Sequence, residues 1–159
     1  MQERLVVLGA GESGIGAAIL AKKQGFDVFL SDKKSISEEL KEFLNKEAIK
    51  WESGKHTLES MKDARLVIKS PGIPDSISLL DALRKQGSSI LSEIEFASHY
   101  TNATLIGITG TNGKTTTTML TYEILKNAGL NVGLAGNIGT SFARQVAQEQ
   151  FDYYVLEIS

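Results

Sequence analysis

Two glycine-rich segments contain the residues whose types and spacing could do chemistry. The first runs from Gly9 to Gly14 with the sequence GAGESG, which fits the pattern G-x-G-x-x-G and separates an apolar run from a helical pattern. Glycines in such a turn let backbone N–H groups approach a phosphate closely, and the following helix adds positive potential at its N-terminus. Asp32 ends the next apolar run, 18 residues after Gly14, where an acid can reach a ribose hydroxyl or a base edge. The spacing predicts a site for a nucleotide diphosphate.

The second segment, GITGTNGKTT, runs from Gly107 to Thr116, and it also follows an apolar run and opens a helix. It fits the phosphate loop G-x-x-x-x-G-K-[ST], except that Ile108 stands where the first glycine is expected. In such loops the backbone N–H groups wrap the phosphates, the lysine (Lys114) neutralises their charge, and the next hydroxyl (Thr115) joins the Mg²⁺ shell. These two side chains are the candidate catalytic residues.

Glu157 closes an apolar run in the same half of the chain. A carboxylate at the C-terminal end of a buried strand beside a phosphate loop is poorly explained by packing. We therefore predict that Glu157 is a Mg²⁺ ligand together with Thr115.

Other polar residues are expected to be structural. His56 and His99 stand alone, without another histidine, a cysteine or a paired carboxylate at ligand spacing, so we predict surface or hinge positions for both. Ser92 and Glu95 fit the capping box of a helix N-terminus, which makes Glu93 and Glu95 charges of a first helical turn.

Composition narrows the class of protein. A hydrophobic content of 42% in 159 residues is enough for a packed core, and the net charge of -2 argues against nucleic acid as the main partner. The absence of cysteine excludes disulfides and thiolate metal sites. No apolar run approaches the roughly 18 residues that a membrane span needs, and the N-terminus lacks a secretory signal pattern. We expect a cytoplasmic protein without a membrane partner.

The elements that position these residues follow an alternating pattern. Strands are predicted at residues 5–8, 27–30, 66–68 and 89–91, and helices at 14–24, 37–45 (with Ser37 as N-cap) and 77–85. Continuous apolar runs between helices indicate a parallel sheet that is covered on both faces. Residues 1–100 are therefore predicted to form a Rossmann-like, doubly wound α/β domain. Residues 93–102 are predicted to be a linking helix and hinge toward the second half of the chain.

The same rhythm restarts in the second half. Strands are predicted at 104–108, 131–134 and 153–158, and helices at 114–127 and 140–148. We expect residues 101–159 to be the first part of a P-loop α/β ATPase domain, because the last strand runs to the final residue without a capping element. An unpaired edge on that strand and uncovered apolar surface would let the chain self-associate.

The second loop carries a resemblance to a known family. GTNGKTT at residues 110–116 resembles the ATP loop of the Mur ligases and of folylpolyglutamate synthase. Asn112, together with a Rossmann-like first domain bearing G-x-G-x-[ST]-G, is similar to the D-glutamate-adding branch of the Mur ligases, and another ligase of that family is the alternative. SPGIP at 70–74, GNIG at 136–139 and YVLEIS at 154–159 agree, so the resemblance covers the whole chain.

The resemblance implies two ligand sites. The site for a UDP sugar would comprise Gly11, Glu12, Ser13, Gly14, Asp32, Lys33, Ser70, Pro71, Gly72 and Asn137. The ATP site would comprise Gly110, Thr111, Asn112, Gly113, Lys114, Thr115 and Thr116, with Thr115 and Glu157 on Mg²⁺. Glu12 is the unexpected member, since an acid beside a diphosphate does not help unless it points to the uracil or to solvent.

The implied activity is an ATP-dependent amide-bond ligase of peptidoglycan precursor synthesis. It would convert UDP-N-acetylmuramoyl-L-alanine to an acyl phosphate that D-glutamate then attacks, with ATP and Mg²⁺ as cofactors. The whole enzyme would be a monomer, and these 159 residues would not turn over, because the family's amino-acid-binding parts lie further along the chain. Two interpretations stay open beside it, an NAD-dependent oxidoreductase that uses the first loop and a non-catalytic nucleotide-sensing module.

Overall fold

The computed structural model describes residues 2–158, which form two parallel sheets with helices packed against them. The first sheet has the order β3-β2-β1-β4-β5 and contains β1 (Arg4–Leu8), β2 (Asp27–Asp32), β3 (Lys50–Ser53), β4 (Leu66–Lys69) and β5 (Ser89–Ser92). Its helices are α1 (Glu12–Lys23), α2 (Glu38–Lys46), α3 (Ser78–Lys85) and α4 (Glu93–Ser98), with a 3₁₀ turn at Leu58–Met61. This order confirms the doubly wound prediction.

The central strand β1 shows why a continuous apolar run, without alternating polar residues, forms a strand in this protein. Leu5 and Val7 of β1 point into one core cluster, while Val6 and Leu8 point into another on the opposite face. All four are fully buried, because helices cover both faces of a parallel sheet. Strands β2 and β3 are added on one side of β1, and β4 and β5 are added on its other side, so the strand order reverses between β1 and β4. In doubly wound sheets, ligands bind at such a switch point, outside the carboxyl ends of the strands.

The second sheet has the order β6-β8-β7 and consists of β6 (Thr104–Ile108), β7 (Val132–Gly136) and β8 (Tyr153–Glu157), with helices α5 (Lys114–Asn127) and α6 (Phe142–Gln148). The predicted bounds of β6 and α5 are confirmed. The prediction of an unpaired last strand is wrong, because β8 lies in the middle and pairs with both neighbours. Within the described residues, the open edges belong to β6 and β7.

Capping residues in the sequence correctly predicted where helices α2 and α4 begin. Ser37 caps α2 by accepting the Leu40 N–H at 3.2 Å, and Ser92 caps α4 by accepting the Glu95 N–H at 3.1 Å. Strand β3 was not predicted, because its residues Lys50–Ser53 form a half-exposed edge strand and carry no apolar run.

Helix α4, which the sequence predicted to be a linking helix at a hinge, is packed into the hydrophobic core. Phe96 and Ala97 are fully buried in a core cluster that also contains Phe142 and Tyr154 of the second unit. The Phe96 ring also meets Tyr100 edge to face, with centroids 5.1 Å apart. The two sheets therefore share one apolar core through α4, α6 and α1.

Helix α5 leaves an apolar face uncovered. Leu120 and Ile124 lie one turn apart and are each 59% exposed, with Met119 beside them at 40%. We expect the wild-type chain to self-associate through this face and the variant Leu120→Lys/Ile124→Lys to be monomeric, because the lysines remove the apolar contact. Light scattering during size exclusion measures this, with Glu123→Lys as a control that adds charge on the same helix. A wild-type monomer at high concentration would contradict the prediction.

Candidate functional site

The first glycine loop is tied to the end of β2. The Gly9 N–H donates to the Ser31 carbonyl at 2.8 Å, and the Ala10 N–H donates to Asp32 Oδ2 at 2.6 Å. Gly9 has φ +100°, a left-handed conformation that favours glycine, and a Cβ on Gly14 would lie 1.9 Å from the Gly9 carbonyl oxygen. A Cβ on Gly11 would meet no atom within 4 Å. The loop is closed on its protein side and open at its mouth.

Asp32 closes this loop from the next strand. Its second oxygen, Oδ1, accepts the Lys34 N–H at 2.7 Å, so the carboxylate bridges the glycine loop and the turn after β2. The sequence suggested a contact from Asp32 to a ribose or base. In the structure, both carboxylate oxygens accept hydrogen bonds from backbone N–H groups. Lys33 is exposed beside it.

Ser70 completes the crevice from the other side. The Ser70 N–H donates to the Leu8 carbonyl at 3.0 Å, which brings the residue to the end of β4 beside the glycine loop. A Cβ on Gly9 would lie 2.4 Å from Ser70 Oγ, and this hydroxyl is shielded from solvent without a hydrogen-bond partner among the described residues. Pro71 and Gly72 follow it and are exposed.

The Glu12 carboxylate is turned toward α6. It accepts two hydrogen bonds from the Arg144 guanidinium, at 2.7 and 2.9 Å, and one from the Ser141 N–H at 3.2 Å. Partial burial opposes ionisation, but Arg144 and Ser141 together hold the pKa of Glu12 below its ordinary value. Its charge is thus engaged with α6, and the contact of Glu12 with a diphosphate stays a prediction. Ser13, the next residue of α1, is partly exposed.

The second glycine loop presents the exposed N-terminus of α5. Gly110 has φ +146°, and Gly113 caps α5 in the left-handed conformation at φ +74° without a side-chain hydrogen bond. The first N–H groups of a helix have no partner within it, and they bind phosphate readily. Residues 110–113 are all exposed, and the Lys114 ammonium donates to the Gly110 carbonyl at 2.7 Å, so it lies folded over the loop.

Glu157 lies at the end of the central strand of the second sheet. It pairs in register with Ile108, just before the loop, and with Gly136 on the other side. A Cβ on Gly136 would lie 2.3 Å from the Glu157 carbonyl oxygen, and the Asn137 N–H donates to that oxygen at 2.9 Å. These contacts place the Gly136–Gly139 turn against the end of β8.

The Glu157 carboxylate fits a cation. The residue is 5% exposed, and its Oε2 has no hydrogen-bond partner among the described residues. A buried carboxylate oxygen is costly unless it is paired, and Mg²⁺ prefers oxygen ligands. No group of three or more His, Cys, Asp or Glu side chains that could hold a metal occurs within residues 2–158. An ion here would therefore rest on Glu157, the Thr115 hydroxyl, phosphate oxygens and water.

His56 is less isolated than the sequence suggested. Its Nδ1 lies 2.7 Å from Ser31 Oγ, and the same hydroxyl donates to Glu52 Oε1 at 2.8 Å. Burial lowers the pKa of His56 although Asp32 and Glu52 oppose that shift. The residue is a half-buried member of a polar network behind the first loop. His99 is exposed as expected.

Glu93 lies in the first turn of α4, as predicted, but it is buried, which no local pattern indicated. It is 5% exposed and accepts the Ala143 N–H of α6 at 2.5 Å. Burial raises its pKa to about 7, the Ala143 N–H opposes that rise, and the Glu12 charge adds to it. No local signal marks Glu93 or Arg144, because their partners lie 50 and 132 residues away in the chain.

Family comparisons define the class of protein to which this fold and these loops correspond. The sequence model of the MurD N-terminal domain matches residues 4–78, and that of the Mur ligase middle domain matches residues 108–159. The chain therefore belongs to the Mur ligase family. Because this is a family of ligases, the oxidoreductase interpretation of the first loop is not retained.

Individual relatives are more specific. A UDP-N-acetylmuramoylalanine–D-glutamate ligase from Bacteroides fragilis is 60% identical over 157 residues, which are 99% of this chain and 35% of the relative. An enzyme of the same name from Christiangramia forsetii is 54% identical over 159 residues, which are 100% of this chain and 36% of the relative. The chain thus spans about a third of the length of the curated relatives it matches.

Solved structures agree on the fold. A pseudomurein peptide ligase type C from Methanothermus fervidus is 31% identical with a TM-score of 0.59, over 99% of this chain and 33% of that one. The UDP-N-acetylmuramate:L-alanyl-gamma-D-glutamyl-meso-diaminopimelate ligase of Neisseria meningitides is 22% identical with a TM-score of 0.62, over 99% and 52% of the two chains. At that identity the second match supports the fold alone. In the described part of the chain, no helix has the length and apolarity needed to cross a membrane.

Proposed function

We propose that the protein is an ATP-dependent ligase that adds D-glutamate to UDP-N-acetylmuramoyl-L-alanine in cytoplasmic peptidoglycan precursor synthesis. The observation that carries this proposal is the pair of phosphate-binding glycine loops in one chain, residues 9–14 (the first cradle) and residues 110–116 (the second cradle). The buried Glu157 carboxylate, whose Oε2 has no partner among the described residues, lies beside the second. The 60% identity to a ligase of that name over 99% of the chain supports the choice of substrates.

The first cradle would bind the UDP part of the substrate. The N-terminus of α1 offers N–H groups and positive potential to the diphosphate, and Gly11 leaves room for its approach. Asp32 and Lys33 on one side and Ser70–Gly72 on the other would flank the nucleotide. Asn137, on the turn that packs on Glu157, would contact the same substrate from the second unit.

The second cradle would bind ATP. Residues 110–116 would wrap the phosphates, and Lys114 would leave the Gly110 carbonyl to neutralise the transferring phosphoryl group. Glu157 and Thr115 would hold Mg²⁺, which stabilises negative charge on that group. The substrate carboxylate would attack the γ-phosphorus to give an acyl phosphate and ADP, and the D-glutamate amine would then displace phosphate to form the amide.

These 159 residues alone are expected to bind nucleotides weakly and not to turn over, since the relatives are about three times longer. Phosphate release at the rate of a complete ligase, on adding ATP, Mg²⁺, UDP-N-acetylmuramoyl-L-alanine and D-glutamate, would contradict this. Calorimetric titration with UDP, ATP with Mg²⁺, and NADH tests the proposal directly. Tight binding of NADH with indifference to UDP would overturn it.

The variant Lys114→Met tests ATP binding at the second loop independently of UDP binding at the first. It is expected to lower ATP affinity by about tenfold or more, because a charge-assisted contact to the phosphates is lost, while UDP affinity stays unchanged. Lys126→Met is the matched control, since Lys126 lies in the last turn of the same helix and contacts the Tyr122 ring. Equal ATP affinity in all three proteins would show that the loop is not the ATP site.

A further inference from the structure

The pair Glu12–Arg144 joins the first glycine loop to the second unit. Glu12 is the first residue of α1, and Arg144 lies in the first turn of α6, 132 residues later. The two helices touch closely, because a Cβ on Gly16 would lie 2.0 Å from Ser141 Oγ. The guanidinium therefore reaches the start of α1, where it binds both carboxylate oxygens.

The position of Glu12 is unfavourable for an anion site. A carboxylate in the first turn of a helix occupies the same positive potential that a diphosphate would use, and two like charges a few ångströms apart repel. Glu12 is also 48% exposed as a side chain, so without Arg144 only the Ser141 N–H, at 3.2 Å, would keep its carboxylate from turning toward the mouth of the loop. Arg144 is 24% exposed and held by two hydrogen bonds to it.

We propose that Arg144 is a positioning residue for the nucleotide diphosphate, which draws the Glu12 carboxylate toward α6 and cancels its charge so that the first loop accepts an anion. Arg144 acts through Glu12 and does not itself touch the phosphates. The inference rests on the proposed function, in which this loop binds the UDP part of the substrate.

The test measures binding of UDP and of uridine to the 159-residue chain and its variants by calorimetry, with uridine followed by NMR titration. Arg144→Gln is expected to lower UDP affinity about tenfold and to leave uridine affinity unchanged, since only UDP carries charge. Glu12→Gln should strengthen UDP binding by about twofold. The double variant Glu12→Gln/Arg144→Gln should recover wild-type UDP affinity within about twofold, because no uncompensated carboxylate remains.

Lys23→Gln is the matched control. Lys23 donates to the Ala147 carbonyl at 2.5 Å, so this change also removes one positive charge and one contact between α1 and α6, away from the loop. UDP affinity should not change in this variant. Circular dichroism and thermal unfolding establish that every variant is folded.

Other outcomes overturn the inference in distinguishable ways. If Arg144 were only a clamp between the units, Arg144→Gln would weaken UDP and uridine alike, and Lys23→Gln would behave similarly. If Arg144 contacted phosphate directly, the double variant would stay as weak as Arg144→Gln. An Arg144→Gln variant with wild-type UDP affinity would also refute it, whereas a folded wild-type chain that binds NADH tightly and is indifferent to UDP would refute the proposed function.

Discussion

At pH 8 the variant Glu93→Gln is expected to be more stable than the wild-type chain by up to about 3 kcal/mol, and at pH 4 the two should agree within about 1 kcal/mol. Glu93 is 5% exposed, and burial raises its pKa from 4.5 to about 7 in the folded chain. A glutamine is neutral at every pH, and its amide oxygen can still accept the Ala143 N–H.

The direction in which stability changes with pH follows from whether the folded or the unfolded chain binds the Glu93 proton more tightly. Between the unfolded pKa of 4.5 and the folded pKa of about 7, the folded chain holds the Glu93 proton while the unfolded chain releases it. Stability therefore falls as the pH rises through this window, and the loss is complete above it. The difference between variant and wild type isolates this contribution, because every other titrating group is common to both.

Denaturant unfolding at pH 4, 6 and 8 measures the difference. Glu95→Gln serves as the control, since Glu95 lies in the same helix and is exposed. The control should show a difference from wild type below about 0.5 kcal/mol at each pH. A constant difference between Glu93→Gln and wild type across this range would show that Glu93 is not a buried titrating group.

Gly14→Ala is the second change with a large expected effect. A Cβ there would lie 1.9 Å from the Gly9 carbonyl oxygen and 2.9 Å from the Gly9 carbonyl carbon. Backbone atoms cannot move aside as a flexible side chain does, so the loop must shift. We expect a loss of about 2–4 kcal/mol in the free energy of unfolding, together with loss of UDP binding.

Gly11→Ala should behave differently although it lies in the same loop. A Cβ on Gly11 meets no atom within 4 Å, and its φ of -76° suits any residue. The free energy of unfolding should fall by less than about 1 kcal/mol, the cost of alanine at a helix N-cap. UDP affinity should nevertheless fall about tenfold or more, because the methyl group occupies the open mouth where a diphosphate approaches.

Unfolding curves and UDP titrations on the two variants separate stability from binding. Equal stability of Gly14→Ala and wild type would contradict the close packing of the loop. Unchanged UDP affinity in Gly11→Ala would mean that the nucleotide does not approach through this mouth.

The local features of this protein could be predicted from its sequence. The bounds of β6 and α5, the caps Ser37 and Ser92, and the strand–glycine–helix order of both loops each depend on consecutive residues. Glycine where a turn needs positive φ and an apolar run where a strand is buried on both faces are signals that need no partner elsewhere in the chain. The edge strand β3 lacked such a signal because it is half-exposed.

The sequence by itself thus determined the elements other than β3, the doubly wound class and the residues of the two glycine loops. Only the tertiary structure decided that β8 lies between β6 and β7, that Glu93 is buried, and that the charge of Glu12 is held by Arg144. Strand order and charge pairing depend on contacts between residues far apart in the chain. Such contacts form where helices and sheets pack, and no spacing along a single polypeptide records them.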